Sequence, residues 1–235
     1  ACQWERALDL LSGLQERCGA ADTVANNAMI SACEKGLRWE YAFEVVRSMR
    51  RQATEAAVNT YNSAISGFEK GQQWTRALDT LKGIWEAGVG PTVVTYNAAI
   101  SASEKGHRWA LAIALLQQVP ERCLRPSMIS QSAAISAMEK GRQWKTALAL
   151  LLRVLSMRIE LGAIAYNAAI SASGSCRKWL WALRLFGKGA SAREFVPTTV
   201  TCSAGLWACA DARQWPQALE LAVDMGRREV ELSAG

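Results

Sequence analysis

The sequence predicts an all-α fold of stacked helix-turn-helix repeats, and three observations support this class. Seven of the ten Trp residues follow one another at intervals of 35, 35, 35, 35, 35 and 36 residues. A segment close to Asn-Ala-Ala-Ile-Ser-Ala-Ser-Glu-Lys-Gly returns in step with them, and the apolar residues of each period have helical spacing. A fixed period of about 20–50 residues is typical of solenoids, in which each unit buries its apolar face by stacking on its neighbours. The periodic residues are Trp4, Trp39, Trp74, Trp109, Trp144, Trp179 and Trp215.

The period divides the chain into repeat windows. The six windows are 23–57, 58–92, 93–127, 128–162, 163–198 and the divergent C-terminal window 199–235. Residues 1–22 correspond to the second helix of a preceding repeat. One residue is inserted between Trp179 and Thr199. The periodicity alone leaves the hand of the solenoid open.

The first half of each window predicts one helix. In the window 93–127, Tyr96, Ile100 and Ser103 are spaced i, i+4, i+7 and therefore share a helical face. Gly106 predicts the end of this helix, because Gly readily takes the backbone conformation that ends helices. Cys33 has the same place as Ser103 in the window 23–57, so we interpret it as a core residue and not as a nucleophile.

The second half of each window predicts another helix. Trp109, Ala112, Ile113 and Leu116 lie on one of its faces, so we interpret the recurrent Trp as a core residue. An Ala follows the periodic Trp by three residues in all seven copies. A methyl group held at this place indicates a close helix crossing that a larger side chain would force apart.

Composition excludes several classes of protein. Half of the residues are apolar and 20% are charged, which is too apolar for a disordered chain and too charged for a membrane protein. The seven Cys include no Cys-x-x-Cys, so we expect reduced thiols and no metal site, including at Cys202 and Cys209. The only His, His107, lies in a turn of variable sequence and is not expected to be a general base. No catalytic residue, metal or cofactor is therefore predicted.

Polar residues recur on the opposite face of the first helix. We call one row the polar ladder: Asn27, Asn62, Asn97, Ser132, Asn167 and Ser203. We call a second row the lysine ladder: Lys35, Lys70, Lys105 and Lys140. With a net charge of +6, these rows suit the regular edges and phosphates of a single-stranded nucleic acid. Two other interpretations stay open, namely a protein-binding surface, or simple helix caps and solubilising charge.

The repeats resemble those of the pentatricopeptide repeat family. The similarity lies in Val-Val-Thr-Tyr-Asn-Ala-Ala-Ile-Ser-Ala from Val93, Lys-Gly at 105–106, Ala-Ile-Ala-Leu-Leu from Ala112, and Arg-Pro-Ser at 125–127. The family has the same period, the same Thr-Tyr-Asn opening and a Pro before its last residue. The resemblance covers essentially the whole chain. The tetratricopeptide repeat is less similar, because its period is about 34 residues and its Trp lies in the first helix.

The resemblance implies a right-handed superhelix that binds single-stranded RNA at one base per repeat, usually in mitochondria or chloroplasts. Two residues per repeat would select the base, and one would sandwich it. The implied selecting pairs are Asn27 with Ala57, Asn62 with Thr92, Asn97 with Ser127, Ser132 with Gly162, Asn167 with Thr198, and Ser203 with Ser233. The implied sandwiching residues are Val24, Asn59, Val94, Ile129, Ile164 and Val200.

Some residues depart from the family pattern. Asn59 is polar where the family has an aliphatic residue, and neither Ala57 nor Gly162 offers a side-chain hydrogen bond. The lysine ladder ends at Lys140, with Ser175 and Asp211 in its place in the last two windows; Trp207 replaces the Ser that follows the polar ladder. We therefore expect binding to be strongest over residues 23–162.

The resemblance also implies which RNA base each window would bind. Asn in the polar ladder goes with pyrimidines and Ser with purines, so the six windows predict pyrimidine, pyrimidine, cytosine, purine, pyrimidine and purine from the 5′ end. The expected role is organellar RNA processing, stability, editing or translation by a monomer that has no catalytic activity and does not bind membranes. The alternative is an α-solenoid scaffold that binds proteins or peptides through its concave face. Because the chain does not begin with Met, we expect it to be a segment of a longer protein, with any targeting segment outside it.

Overall fold

The computed structural model describes residues 23–36, 38–51, 58–157, 162–191 and 198–227. All regular secondary structure in these ranges is α-helical, which confirms the predicted class. The predicted partial repeat 1–22 lies outside the described residues. Twelve helices of 13 residues each are described: α1 Thr23–Lys35, α2 Trp39–Arg51, α3 Val58–Lys70, α4 Trp74–Glu86, α5 Val93–Lys105, α6 Trp109–Glu121, α7 Met128–Lys140, α8 Trp144–Ser156, α9 Ala163–Ser175, α10 Trp179–Ser191, α11 Thr199–Asp211 and α12 Trp215–Arg227.

Odd-numbered helices open the repeats and are called first helices; the even-numbered second helices each begin at a periodic Trp. The chain divides into two compact units, residues 1–106 with 114–125, and residues 107–113 with 126–235. In the first unit, α3 packs between α1 and α5; in the second, α9 packs between α7 and α11. A second helix packs against the first helix of its own repeat and against that of the next, as α4 does with α3 and α5. None of the helices described is long and apolar enough to cross a membrane.

The predicted apolar stripe of the first helix forms the core. Tyr96, Ile100 and Ser103 are each fully buried, and Cys33 is buried at the equivalent place in α1. Burying an Ile side chain contributes about 1.5–3 kcal/mol, so one such residue per helix gives each repeat interface much of its stability. The hydroxyl of Ser103 donates to the carbonyl oxygen of Ala99 at 2.9 Å, which satisfies it inside the core. This part of the sequence prediction is confirmed.

The Ala three residues after the periodic Trp is buried wherever another described repeat follows. Ala77, Ala112 and Ala147 have no exposed surface, whereas Ala218 in the last window is partly exposed. No larger side chain fits a fully enclosed methyl site without displacing a helix. Burial at this position agrees with the close crossing that the sequence predicts.

The glycines that follow the first helices accommodate the tryptophans. A Cβ atom added at Gly106 would overlap the indole of Trp74 from the preceding repeat, and one added at Gly141 would overlap Trp109. The helix does end where Gly106 predicts, but this glycine has an ordinary φ of −80°. The left-handed φ of +56° belongs to the next residue, His107. The prediction that Gly is needed for its backbone freedom is therefore wrong, because Gly is needed here for the space beside the Trp ring.

The periodic Trp residues are only half-buried, so the interpretation as core residues needs correction. Trp39, Trp74, Trp109, Trp144 and Trp179 are all partly exposed, and Trp215 is 62% exposed. The first three contact the next repeat beside its glycine. The guanidinium carbon of Arg76 lies 4.1 Å from the ring centroid of Trp39. A cation over the face of an indole is attracted by its π electrons, so this contact joins neighbouring repeats.

Candidate RNA interface

The polar ladder occupies the second turn of the first helices. Of its described members, only Ser203 is exposed, and the other five are half-buried. These side chains are not helix caps, because each is the fifth residue of its helix. One of the structural alternatives that the sequence left open is therefore wrong for this ladder.

The closing residues of the repeats are the helix caps. The Thr92 hydroxyl accepts from the backbone N–H of Thr95 at 3.4 Å, and Ser127 accepts from Ser130 N–H at 3.1 Å. Thr198 has the same role before α11, whereas Gly162 precedes α9 without a side-chain cap. The structure therefore places the second residue of four implied selecting pairs directly before a first helix. Ala57 and Ser233 lie outside the described residues.

Hydroxyl groups of the following repeat bind three of the ladder amides. Thr95 Oγ1 donates to Asn62 Oδ1 at 2.6 Å, and Thr201 Oγ1 donates to Asn167 Oδ1 at 2.5 Å. Thr60 donates in the same way to the amide oxygen of Asn27. With the carbonyl side of the amide held by the protein, the NH₂ group is the side left to bind a ligand.

The two Ser members of the ladder are arranged differently. The Ser132 hydroxyl donates to the carbonyl oxygen of Met128 at 2.8 Å, and that of Ser203 donates to Val200 at 3.0 Å. Both bonds lie within the helix of the serine itself. A hydroxyl has one proton, so these two side chains are available to a ligand as acceptors.

The sandwiching residues expose apolar side chains to solvent. The exposed fractions are 59% for Val94, 60% for Ile129, 70% for Ile164 and 60% for Val200. Large aliphatic side chains are more often buried, and these four occupy the same position in four first helices. Asn59 is exposed as well, and the side chain of Val24 lies outside the described residues.

The lysine ladder forms ion pairs between repeats. Lys70 Nζ lies 3.0 Å from Glu34 Oε1, and Lys105 Nζ lies 3.0 Å from Glu69 Oε1. Ser66 also donates to the Glu34 carboxylate at 2.8 Å. These lysines remain partly exposed, with 42% and 37% of their side-chain surface accessible. Lys70 and Lys105 therefore link neighbouring first helices through ion pairs. The sequence did not predict these ion pairs. Lys35 and Lys140 are also exposed.

The C-terminal unit has an open concavity of about 670 Å³ on this surface. Ile164 and Val200 line it together with the ladder residues Asn167 and Ser203. Trp207, which is 54% exposed, completes the lining. Sandwiching and selecting residues from two successive repeats therefore face one shared space, with an indole beside it.

Three of the described cysteines are buried, and the histidine lies at the surface. Burial raises the pKa of the Cys33 and Cys209 thiols, which keeps them protonated and unreactive near neutral pH. Cys202 is also fully buried, and His107 lies exposed in its turn. Within the described ranges, no three His, Cys, Asp or Glu side chains come together as a metal site.

Comparison with known proteins identifies the repeat. Residues 22–105 match the family model for the pentatricopeptide repeat domain. No curated relative matches the chain in sequence. The crystal structure of the pentatricopeptide repeat protein PPR10 from maize is similar with a TM-score of 0.75 and 20% identity, over 97% of this chain and 32% of that one. The chain thus spans about a third of the length of the maize protein's structure.

Two structures that contain RNA are also similar. PPR10 in complex with an 18-nt psaJ RNA element has a TM-score of 0.58 at 14% identity, over 97% of this chain and 38% of that one. The PPR domain of Arabidopsis thaliana protein-only RNase P 1 in complex with tRNA has a TM-score of 0.65 at 13% identity, over 77% and 98% of the two chains. The windows beyond residue 105 repeat the matched segment in the same 35-residue frame. Residues 22–105 are therefore similar to the pentatricopeptide repeat domain, and the fold of the described residues is that of pentatricopeptide repeat structures.

Proposed function

We propose that the first-helix surface binds single-stranded RNA, with one repeat contacting one base. The role is sequence-biased binding that supports RNA processing, stability, editing or translation in a mitochondrion or chloroplast, without catalysis by these helices. The similarity of residues 22–105 to the pentatricopeptide repeat domain supports RNA as the ligand, and similar folds have been solved with RNA bound.

The main support for the proposal is that one repeat carries an exposed aliphatic side chain beside a polar side chain whose orientation is fixed by a hydrogen bond. Ile164 and Asn167 lie three residues apart on α9, so they project from the same face of the helix. An unstacked base needs an apolar surface against its ring and a hydrogen-bonding group at its edge. Successive repeats offer an apolar surface and a hydrogen-bonding group at the same two helix positions. Such a regular series suits the regularly spaced bases of a single strand.

The concavity of the C-terminal unit fits a ligand of this size. Its 670 Å³ lies within the range of about 300–1,000 Å³ that is typical of small-molecule sites. Ile164 and Val200 come from successive repeats and line this space together. A base inserted there would contact one aliphatic side chain from each repeat, with the Asn167 amide at its edge.

The lysine ladder provides a weaker contribution in this proposal. Because Lys70 and Lys105 are paired with carboxylates, a phosphate must compete with Glu34 and Glu69 for them. Exposed ion pairs contribute only about 0–1 kcal/mol, so this competition costs little. We propose the lysines as phosphate contacts that bind RNA while loosening their links between repeats.

A matched pair of variants tests the proposal. Ile164→Gln removes an exposed aliphatic side chain from the first-helix surface, while Leu152→Gln does the same on the second helix α8, where Leu152 is 42% exposed. Affinity for RNAs selected from a random pool is measured by fluorescence anisotropy. We expect Ile164→Gln to lose about 1 kcal/mol of binding free energy, at the low end of base stacking, and Leu152→Gln to lose none.

Two outcomes would contradict the proposal. If wild-type chain selects no RNA from the pool, or if both variants bind RNA as tightly as wild type, this surface does not bind RNA. Binding of peptides that is lost in Ile164→Gln and kept in Leu152→Gln would instead assign the surface to the alternative function, a protein-binding scaffold.

A further inference from the structure

One buried hydroxyl contacts both selecting residues of the preceding repeat. Thr95 Oγ1 lies 3.0 Å from Thr92 N, 3.1 Å from Thr92 Oγ1 and 2.6 Å from Asn62 Oδ1. Thr95 itself has no exposed surface. It belongs to the window 93–127, whereas Asn62 and Thr92 are the implied selecting pair of the window 58–92. The pair is thus joined through a residue of the next repeat.

The C-terminal unit contains the same cluster. Thr201 Oγ1 lies 3.1 Å from Thr198 N, 3.0 Å from Thr198 Oγ1 and 2.5 Å from Asn167 Oδ1. Thr201 is also fully buried. Two repeats in two different units therefore build the same arrangement from the same residue types.

Proton accounting limits how this cluster can be arranged. A hydroxyl has one proton to donate and two lone pairs to accept with. The backbone N–H of Thr92 can only donate, so it occupies one lone pair of Thr95 Oγ1. One lone pair and one proton remain for the Thr92 hydroxyl and the Asn62 amide. One of these two groups must therefore donate to Thr95, and the other must accept from it.

Two arrangements satisfy every group. In the one that the structure shows, Thr95 donates to Asn62 Oδ1 and accepts from the Thr92 hydroxyl. Asn62 then offers its NH₂ as a donor to a ligand, and Thr92 offers an oxygen lone pair as an acceptor. In the reverse arrangement the amide is flipped, so that the Asn62 NH₂ donates to Thr95 and Thr95 donates to Thr92. Asn62 then offers an acceptor to a ligand, and Thr92 offers a donor. Any mixed arrangement leaves a hydrogen bond of a buried cluster unmade, which folded proteins avoid.

We infer that Thr95 and Thr201 are positioning residues for the selecting pairs of the repeats that precede them, because each couples the hydrogen-bonding polarity of such a pair. This inference rests on the proposed RNA-binding function. The pair presents one donor beside one acceptor, never two donors or two acceptors. Every base has an acceptor beside a donor on its Watson–Crick edge, including N1 and the N6 amino group of adenine and O6 and N1–H of guanine, so the coupling does not by itself choose the base. It holds the amide and the hydroxyl in one matched orientation, and so sharpens the pyrimidine preference that the resemblance implies for Asn62 and Asn167.

The residues of this cluster differ in two later windows. In the window 128–162, the equivalent residues are Ser132, Gly162 and Ala165, and the last two have no polar side chain. At the start of α7, the Ser130 hydroxyl donates to the Ser127 carbonyl oxygen at 2.8 Å, so its proton is used within its own helix. The inference thus applies to the bases read by the windows 58–92 and 163–198.

The test replaces the coupling hydroxyl and reads the base preference of each repeat separately. Thr95→Val keeps the shape of the side chain and removes the hydroxyl; Thr95→Ser keeps the hydroxyl. Each variant is put through selection from a random RNA pool, with sequencing of the bound fraction. For Thr95→Val, we expect the pyrimidine preference at the second base to fall about three- to tenfold, the effect of one lost hydrogen bond, with the third base unchanged. Thr95→Ser should restore the preference.

The position of the effect separates specificity from stability. Thr95→Val also removes a hydrogen bond from the cap of α5, and a merely structural loss would weaken binding to all sequences without changing the preferred second base. That result, or a change at the third base instead of the second, would overturn the inference. If wild-type chain selects no RNA, the proposed function itself fails, which is a different outcome from an unchanged variant.

A gain of the cluster provides the second test. Ser132→Asn with Gly162→Thr introduces a selecting pair into the window 128–162, and adding Ala165→Thr completes the cluster. We expect the triple variant to prefer a pyrimidine at the fourth base several-fold more strongly than the double variant, by about the value of one hydrogen bond. Equal preference in the two variants would contradict a coupling role for the third-position hydroxyl.

Discussion

The repeats 58–92 and 128–162 share a framework and differ on the surface that faces a ligand. Ile65 and Ile135 are both fully buried, and the glycines that end α3 and α7 both accommodate the Trp ring of the preceding repeat. On the polar ladder, Asn62 is held by a hydroxyl of the next repeat, whereas Ser132 bonds to its own helix. Packing positions repeat because each must fit a neighbour of the same shape. Ladder side chains are only half-buried, and their contacts differ between these two repeats; in the proposed function this difference corresponds to different bases bound.

The largest expected effect comes from the shared framework. In Gly106→Ala, the new methyl group would overlap Trp74, and we expect a loss of about 1–3 kcal/mol in the free energy of unfolding, the usual cost of overpacking. Gly162→Ala is the control, because no atom lies within 4 Å of a Cβ there. Urea unfolding measures both. Equal stability of the two variants would contradict the account of Trp and Gly packing.

A smaller effect is expected in the last window. Trp207 takes the place of the Ser that follows the polar ladder in earlier windows, and it lines the concavity of the C-terminal unit. We expect Trp207→Ser to weaken binding of an RNA that spans all six repeats by about 1–2 kcal/mol, the range of base stacking on an aromatic ring. Trp181→Ser, at a partly exposed ring on α10, is the matched control. If both variants bind alike, Trp207 does not contact RNA, and binding ends before the last repeat.

The lysine ladder should give the smallest effect at each position. Changing Lys35, Lys70, Lys105 and Lys140 together to Gln should reduce the slope of log affinity against log salt by up to about 0.7 per lysine that contacts a phosphate. The unfolding free energy should fall by at most about 1 kcal/mol for each ion pair lost. For a control matched in net charge, Lys82→Gln with Lys145→Gln, on second helices, is compared with Lys70→Gln with Lys105→Gln on the ladder. A salt slope that stays at the wild-type value would show that the ladder only links repeats.

Sequence periodicity was sufficient to predict the helices and their buried stripes. Tyr96, Ile100 and Ala112 recur at helical spacing because each touches the same partners in each copy, so the pattern carries the packing directly. The exposed place of Ile164 and Val200 also agrees with the face that spacing assigns to them. These features follow from the spacing of residues within one helix and from its recurrence in each window. A single sequence shows both.

Contacts between repeats could not be predicted in the same way. A Thr at the third position of a helix is typical of a residue that helps to cap it. Nothing in its spacing indicates that Thr95 also donates a hydrogen bond to Asn62, 33 residues earlier. The role of glycine was misjudged for a similar reason, since the Trp ring that fills its space lies 32 residues earlier. A signal was present: the glycine recurs in the windows that follow a Trp, although Cys176 and Ala212 replace it in the last two.

The central claim is that each repeat reads one base through its ladder residue and its closing residue. The most direct measurement exchanges that pair in one repeat, Asn97→Ser with Ser127→Asn, and compares RNAs selected from a random pool by the variant and by wild-type chain. The account predicts that the preferred third base changes from cytosine to adenine while the second and fourth bases keep their preferences. An unchanged third base, or a change spread over several bases, would contradict it.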